Sequence, residues 1–151
     1  MYKLQCDKNL VKVIGETFSL LDINADISCF SDQKPDITIL RSHEEVINPA
    51  DYIIANSDNT EIIASLKNYE GKIITCGMST RSTVTYSSIS EEGCVICIQR
   101  AIPTLSGEKI QPLEYPFEYT GKTFDEVSIL MIITAALLCG ADISKLKKIY
   151  V

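Results

Sequence analysis

The sequence lacks three features that mark common classes of protein: a concentrated basic segment, an apolar run of membrane-spanning length and a cleavable leader. Its net charge is −6 and its lysines and arginines are scattered, which argues against binding to a nucleic-acid backbone. The longest apolar run, 127–139, is shorter than the ~20 residues that a helix needs to cross a bilayer. We therefore expect a cytoplasmic protein that has neither nucleic acid nor a membrane as a partner.

Metal ligands are also scarce, because His43 is the only histidine. Six cysteines are present, and Cys94 and Cys97 form a Cys-x-x-Cys pair. This pair lies in a predicted strand, where an offset of three residues puts the two side chains on opposite faces and prevents a shared metal ion. The lack of a leader argues against an oxidising compartment, so disulfides are not expected either. We predict reduced, largely buried cysteines, no metal site and no cofactor.

The composition itself is ordinary for a globular chain of 151 residues, with 46% hydrophobic and 23% charged residues. No Gly-, Ser- or Pro-rich linker divides it, so we expect a single domain over 1–151. Short apolar runs alternate with helical patterns over 1–78, which is typical of a parallel sheet with crossover helices. Residues 79–120 predict antiparallel strands, and 121–151 predict C-terminal helices. The predicted fold class is α/β: a mainly parallel, Rossmann-like three-layer sheet with an antiparallel β extension.

Local signals place the individual elements along the chain. Asp7 predicts the cap of a first helix whose apolar residues recur at spacings of three and four. Gly71 predicts the end of a second helix, and Thr123 opens a capping box before a helix that stops at Gly140. Asp142 predicts the start of a last short helix. The predicted strands are 2–6, 27–30, 36–40, 52–55, 73–76, 83–89, 94–100 and 110–119, and a further short helix is predicted at 42–47.

Three stretches share their order and spacing with a known family. Residues 51–59 read Asp-Tyr-Ile-Ile-Ala-Asn-Ser-Asp-Asn, 72–78 read Lys-Ile-Ile-Thr-Cys-Gly-Met, and 133–143 form the end of an Ala- and Leu-rich helix with a short segment beyond. They resemble, in turn, the Asn-x-Asp-Asp turn, the Val-Ile-Thr-Phe-Gly strand and the Ala-rich helix of the central domain of the Mur ligases. Those enzymes add amino acids to cell-wall precursors, so the resemblance implies a ligase-type scaffold.

The resemblance fails at the residues on which ATP binding depends in that family. Its Gly-x-x-Gly-Lys-Thr loop follows the first strand, because bare backbone N–H groups surround the phosphates and the lysine neutralises them. Here the first strand ends in Cys-Asp-Lys-Asn-Leu at 6–10, and Gly15 is the first glycine. The family's His-Asn-x-x-Asn sequence, which contacts the nucleotide, falls on Phe124, Asp125 and Ser128. We therefore expect the scaffold without ATP binding and without ligase activity.

In parallel α/β sheets, ligands bind beyond the carboxyl ends of the strands, and the loops predicted there are polar. Six candidate ligand-binding residues lie in these loops: Lys8, Arg41, His43, Asn56, Asp58 and Arg81. The alternative, which is the common case for such loops, is that they are helix caps and ordinary loop residues. Cys76 ends a strand without a basic neighbour in sequence, which is more typical of a core cysteine than of a nucleophile. No catalytic residue is identified.

Three functions fit these observations. The first is a non-catalytic, Mur-ligase-like binding or regulatory module, linked to cell-wall precursor metabolism, that binds a small anionic ligand or a partner. The second is a small enzyme that acts on an anionic metabolite at the same loops, and the third is a subunit completed by a partner chain. A homo-oligomer is also expected, because Gln99–Arg100 and Glu114–Tyr115 predict an antiparallel strand edge with unpaired backbone groups.

Overall fold

The structure is a computed structural model that describes residues 1–29, 33–42, 49–120, 125–145 and 148–150. Its helices are α1 (Lys8–Leu20), α2 (Thr60–Ser65) and α3 (Glu126–Leu138), with a 3₁₀ turn at Ile143–Lys145. Its strands are β1 (Tyr2–Gln5), β2 (Ala25–Ser28), β3 (Ile37–Leu40), β4 (Tyr52–Asn56), β5 (Lys72–Cys76), β6 (Val84–Ile89), β7 (Cys94–Ile98), β8 (Ile102–Pro103), β9 (Lys109–Ile110), β10 (Leu113–Thr120) and β11 (Lys148–Tyr150).

Nine of these strands form one mixed sheet in the order β11-β10-β7-β6-β5-β4-β3-β1-β2, while β8 and β9 form a separate hairpin. Strands β1 to β5 are parallel to their neighbours, and β5 joins β6 in parallel at one pair, Cys76 with Val84. Strands β6, β7 and β10 are antiparallel. The prediction of a mainly parallel α/β sheet with an antiparallel extension is therefore confirmed.

The parallel part has the order 2-1-3-4-5, which places a change of direction between β1 and β3. The chain passes from β1 to β2 on one side and from β3 through β4 to β5 on the other. In sheets of this kind the loops on the two sides diverge at such a point and leave a crevice at the carboxyl ends of the strands. Asp7 follows β1 and Arg41 follows β3, so both residues border this crevice.

Helices cover both faces of the sheet, which gives three layers. Helices α1 and α3 pack with Ile54, Ile74 and the other residues of that face, whereas Ile62 of α2 packs with Leu40 and Ile53 on the opposite face. The two sets alternate along β4, as the side chains of a strand must. Strands β3 and β4 are buried on both faces, and β5 is at least half-buried after Lys72, so their sequences are short, largely apolar runs that could be predicted.

Helix α3 is buried on every side. Its residues from Val127 to Leu138 are all buried, because the sheet lies beneath it and the β8–β9 hairpin lies beside it. The backbone N–H of Leu105 in that hairpin donates to the carbonyl of Leu138 at 3.0 Å. Gly140 follows the helix with a φ of +80°, a conformation that suits glycine, so the predicted stop is confirmed. The N-cap is Asp125, and the predicted opening at Thr123 lies outside the described residues.

Several predicted boundaries were wrong for non-local reasons. Strand β2 begins at Ala25, because that residue pairs with Tyr2 of β1, rather than at the predicted residue 27. Helix α2 ends at Ser65, well before Gly71. Between them Tyr69 turns back, and its hydroxyl accepts from the backbone N–H of Ala50 at 3.1 Å. The helix predicted at 42–47 lies almost entirely outside the described residues.

The C-terminal helix predicted from Asp142 is also wrong. Among the residues of this segment that the structure describes, Ile143–Lys145 form a helical turn, and Lys148–Tyr150 form β11, which is parallel to residues 118–120 of β10. The outer edge of β10 presents backbone N–H and C=O groups that need partners, and β11 supplies them along residues 118–120. The segment that predicted a helix contains too few apolar residues to distinguish a helix from a strand.

Candidate functional site at the carboxyl ends of the strands

The crevice between β1 and β3 is closed by an ion pair. The guanidinium of Arg41 contacts both carboxylate oxygens of Asp7, with Nη2 at 3.0 Å from Oδ1 and Nε at 2.9 Å from Oδ2. The side chains of Arg41 and Asp7 are only 21% and 18% exposed. The hydrogen bonds from Arg41 Nη2 and from the N–H of Asn9 both end on Oδ1, whereas the contact between Nε and Oδ2 is electrostatic and not a hydrogen bond. The guanidinium is therefore held beside the carboxylate by one hydrogen bond and by charge.

The same Asp7 carboxylate caps helix α1. Its Oδ1 accepts a hydrogen bond from the backbone N–H of Asn9 at 2.9 Å, which satisfies one of the free donors of the first turn. The predicted cap is therefore confirmed. One carboxylate thus contacts both the helix N-terminus and the guanidinium, two groups that hold anions elsewhere in proteins.

Asn56 and Asp58 connect neighbouring loops. The side-chain amide of Asn56 donates to the carbonyl of Arg41 at 3.3 Å, and its oxygen accepts from the N–H of Asp58 at 3.0 Å. The Asp58 carboxylate in turn accepts from the N–H of Met78, at 2.9 and 3.1 Å from its two oxygens. These bonds tie the ends of β3, β4 and β5 together, and they fit the alternative interpretation of the two residues as loop residues.

The loop from Gly77 to Thr83 packs tightly on the loop after β4. The hydroxyls of Ser57 and Ser82 lie 2.6 Å apart, and Ser82 is buried. A Cβ added to Gly77 would lie 2.4 Å from the Ser57 hydroxyl and 2.6 Å from Oδ1 of Asp58. Only glycine allows this close approach without displacing a neighbour.

Two residues after β7 hold the other side of this loop. The amide of Gln99 donates to the carbonyls of Thr80 and Ser82 at 2.8 and 2.5 Å. The guanidinium of Arg100 donates to the Thr83 hydroxyl at 3.2 Å, and to the carbonyl of Arg81 at 2.9 Å. The sequence predicted a sheet edge at Gln99 and Arg100. That prediction is wrong, because the preceding strand, β7, is flanked by β6 and β10.

The remaining candidates divide into exposed and undescribed residues. Lys8, the first residue of α1, and Arg81 are both exposed at this end of the molecule. His43 lies outside the described residues. Arg41, Asn56 and Asp58 are brought together by the bonds given above. The predicted residues thus form an internally bonded floor, and Lys8 and Arg81 lie on its exposed rim.

Cys76 belongs to the core rather than to this floor. Its side chain is completely buried, and its sulfur lies 3.3 Å from the hydroxyl of Thr134 on α3. Burial raises the pKa of the Cys76 thiol to about 12, because a thiolate would lose its hydration there. The thiol is therefore protonated at neutral pH, and the interpretation of Cys76 as a core cysteine is confirmed.

A second concave region, which the sequence did not indicate, lies at the opposite edge of the sheet. It is a cleft of about 730 Å³ bordered by the amino ends of β1 and β3 and the carboxyl ends of α1 and α3. Its lining includes three carboxylates, Asp22, Asp36 and Asp142, and one cationic side chain, Lys145. Hydrogen bonds from Ser144 lower the pKa of Asp142. No local motif announces this cleft, because distant segments form it.

Within the described ranges, no helix is long and apolar enough to cross a membrane, and no group of three or more His, Cys, Asp or Glu side chains has the arrangement of a metal site. Comparison with family models, with curated proteins and with solved structures finds no match for this chain. Its function therefore has to be argued from its own residues.

Proposed function

We propose that this chain is a non-catalytic binding module, built on a scaffold that resembles the central domain of the Mur ligases and linked to cell-wall precursor metabolism. The observation that carries the proposal is the position of the Asp7 carboxylate. It caps α1 and pairs with Arg41 at the place where a ligase of that family would hold the phosphates of ATP.

Both charge and space oppose a nucleotide triphosphate at this position. A phosphate loop offers bare backbone N–H groups to an anion, whereas here a carboxylate already accepts from the first turn of α1. A triphosphate would also have to separate Asp7 from Arg41 and approach the freed carboxylate, which carries the same sign of charge. Lys8, the lysine that follows Asp7, is exposed rather than buried in the crevice.

The exposed rim supports binding of a small anion. Lys8 and Arg81 carry positive charge at the carboxyl edge of the sheet, and Ser79 and Thr80 are exposed beside Arg81. A cationic side chain with neighbouring hydroxyls suits a phosphate group of a nucleotide sugar, and the resemblance implies such sugars as ligands. Ligation would also require ATP, so a binding role for this chain does not include catalysis.

Thermal unfolding with added ligands tests the proposal, because a ligand that binds only the folded state raises Tm. We expect no rise with ATP and Mg²⁺, and a rise with a cell-wall nucleotide sugar. Lys8→Ala and Arg81→Ala should reduce that rise. Lys12→Ala is the matched control, because Lys12 is an exposed lysine one turn further along α1. A rise with ATP and Mg²⁺, or no rise with any precursor, would contradict the proposal.

A further inference from the structure

The solvent-facing side of α1 carries a shallow groove that no described part of the chain covers. The opposite side of this helix packs on the sheet through Leu10, Ile14 and Phe18. Leu20, at one end of the groove, is 67% exposed and is among the most exposed large apolar side chains of the described residues. The groove has a volume of about 590 Å³ and is lined by Val11, Lys12, Gly15, Glu16, Ser19 and Leu20.

Gly15 lies near the middle of α1 and borders this groove. A Cβ added to it would meet nothing within 4 Å, so no contact among the described residues requires a glycine there. Glycine weakens the interior of a helix relative to alanine, because its backbone loses more freedom on folding. The bare backbone does allow another helix to approach closely at this point. The position of Gly15 therefore favours a helix as the occupant of the groove.

The charges beside Gly15 match a second copy of the same helix. Lys12 and Glu16 are exposed, and neither belongs to a salt bridge within the described residues. If two α1 helices pack antiparallel about a two-fold axis at Gly15, Glu16 of one copy and Lys12 of the other lie on the same flank of the contact. Their levels then differ by about 3 Å along the helix axis, at ~1.5 Å per residue, which the two side chains can span. The symmetry repeats the pair, so the interface contains two of them.

We infer that this face of α1 is a self-association surface, on which a second copy of the chain docks its own α1 antiparallel with Gly15 at the crossing point. Lys12 of each copy pairs with Glu16 of the other. One helix face about 20 Å long is small for a stable interface, so the dimer is weak and forms at high protein concentration. The inference goes beyond the proposed ligand binding and does not depend on it.

Sedimentation equilibrium of the full chain at increasing protein concentration measures this dimer. Gly15→Gln places a long side chain that suits a helix at the crossing point, so we expect it to weaken dimerisation about tenfold or more. The same variant should not lower Tm at low protein concentration, because a side chain at this position meets open space within its own chain. A folded Gly15→Gln protein that dimerises as well as the unmodified chain would overturn the inference. An unmodified chain that stays monomeric up to about 1 mM would also overturn it.

Charge reversal gives a second test, which does not depend on the space at Gly15. Lys12→Glu and Glu16→Lys should each weaken the dimer about tenfold, because two attractive pairs become like-charge contacts in the symmetric interface. The double variant, Lys12→Glu with Glu16→Lys, should restore dimerisation, since the exchange recreates both pairs. Lys67→Glu, at an exposed lysine that follows α2, is the matched control and should leave the dimer close to that of the unmodified chain.

The pattern across the variants identifies the surface. Equal weakening by Lys12→Glu and Lys67→Glu would show a general effect of charge and overturn the inference. Failure of the double variant to restore the dimer would overturn it too, because the two side chains would then not pair across the interface. A dimer that Leu113→Lys weakens and the α1 variants do not would belong to the edge of β10, and this result would likewise exclude α1 as the surface.

Discussion

Among single residues, Gly77 carries the strictest packing requirement in the described part of the candidate site. We expect Gly77→Ala to lower the free energy of unfolding by about 1–3 kcal/mol, because its Cβ would overlap the Ser57 hydroxyl and the Asp58 carboxylate. Gly15→Ala is the control, since a Cβ there meets nothing within 4 Å and alanine favours the helix by about 0.5–1 kcal/mol. Urea denaturation measures both, and equal stability of Gly77→Ala and the unmodified chain would contradict the expectation.

The protein should lose stability at alkaline pH, because burial raises the pKa of two thiols, those of Cys76 and Cys139. Burial raises the pKa of Cys76 and that of Cys139 from 9.0 to about 12, with the Asp36 charge as a second cause at Cys139. In the unfolded chain these thiols ionise near their ordinary pKa, whereas the folded chain keeps their protons. Their contribution to stability is therefore complete below about pH 9 and is lost progressively as the pH rises toward 12.

Denaturation midpoints measured between pH 8 and 11 check this dependence. Cys76→Ala should show a smaller fall with pH than the unmodified chain, although it begins from a lower stability because a buried contact is lost. Cys29→Ala, a substitution at an exposed thiol, is the matched comparison and should keep the full slope. A slope that is the same in all three proteins would show that Cys76 does not titrate as described.

Among the described helices, α3 should lose the most stability when a side chain is truncated, because it is buried on every side. Leu138→Ala should lower the free energy of unfolding by about 2–5 kcal/mol. Leu138 is fully buried, and the elements packed around α3 would leave a cavity in place of the lost atoms. Leu20→Ala, in the last turn of α1, removes the same atoms from a side chain that is 67% exposed and should change stability by less than about 0.5 kcal/mol. Thermal unfolding compares the two variants, and similar losses would refute the described packing of α3.

The outer edge of β10 is the place for the proposed homo-oligomer. Among the described strands, β11 pairs with residues 118–120 of β10, so the strand pairing described for Leu113 and Glu114 is with β7 alone. If two copies pair there, light scattering should show a concentration-dependent dimer that Leu113→Lys weakens, because a charge blunts a strand edge. Ile89→Lys is the control, since Ile89 is similarly exposed but lies on β6. A monomer at every concentration would remove this proposal.

For the whole molecule, the sequence predicted most of the helices and strands but little of which element packs beside which. Strands β3, β4 and β5 were visible as buried apolar runs, and α1 was visible from the Asp7 cap with its periodic apolar face. Each of these signals is local. The short strands β8 and β9, with two residues each, are stabilised by contact with α3 and carry no comparable local pattern.

The candidate site was only partly predictable for the same reason. The sequence identified Arg41 and Asp7 separately, one as a candidate ligand-binding residue and the other as a cap. Their pairing depends on β1 and β3 being neighbours, which only the strand order 2-1-3-4-5 decides. Asn56 and Asp58 were also identified as polar loop residues, but their mutual bonds follow from the same three-dimensional order. From the sequence alone, a polar side chain that binds a ligand cannot be distinguished from one that forms a hydrogen bond or ion pair with another loop.

The enclosure of α3 also dictates when this protein is able to fold during its synthesis. The core that packs on β4 to β6 includes residues 127–138, so the sheet made earlier on the ribosome has one apolar face uncovered until that segment emerges. A nascent chain halted shortly before residue 125 should therefore be a substrate for chaperones and proteases, whereas the chain released from the ribosome should resist them.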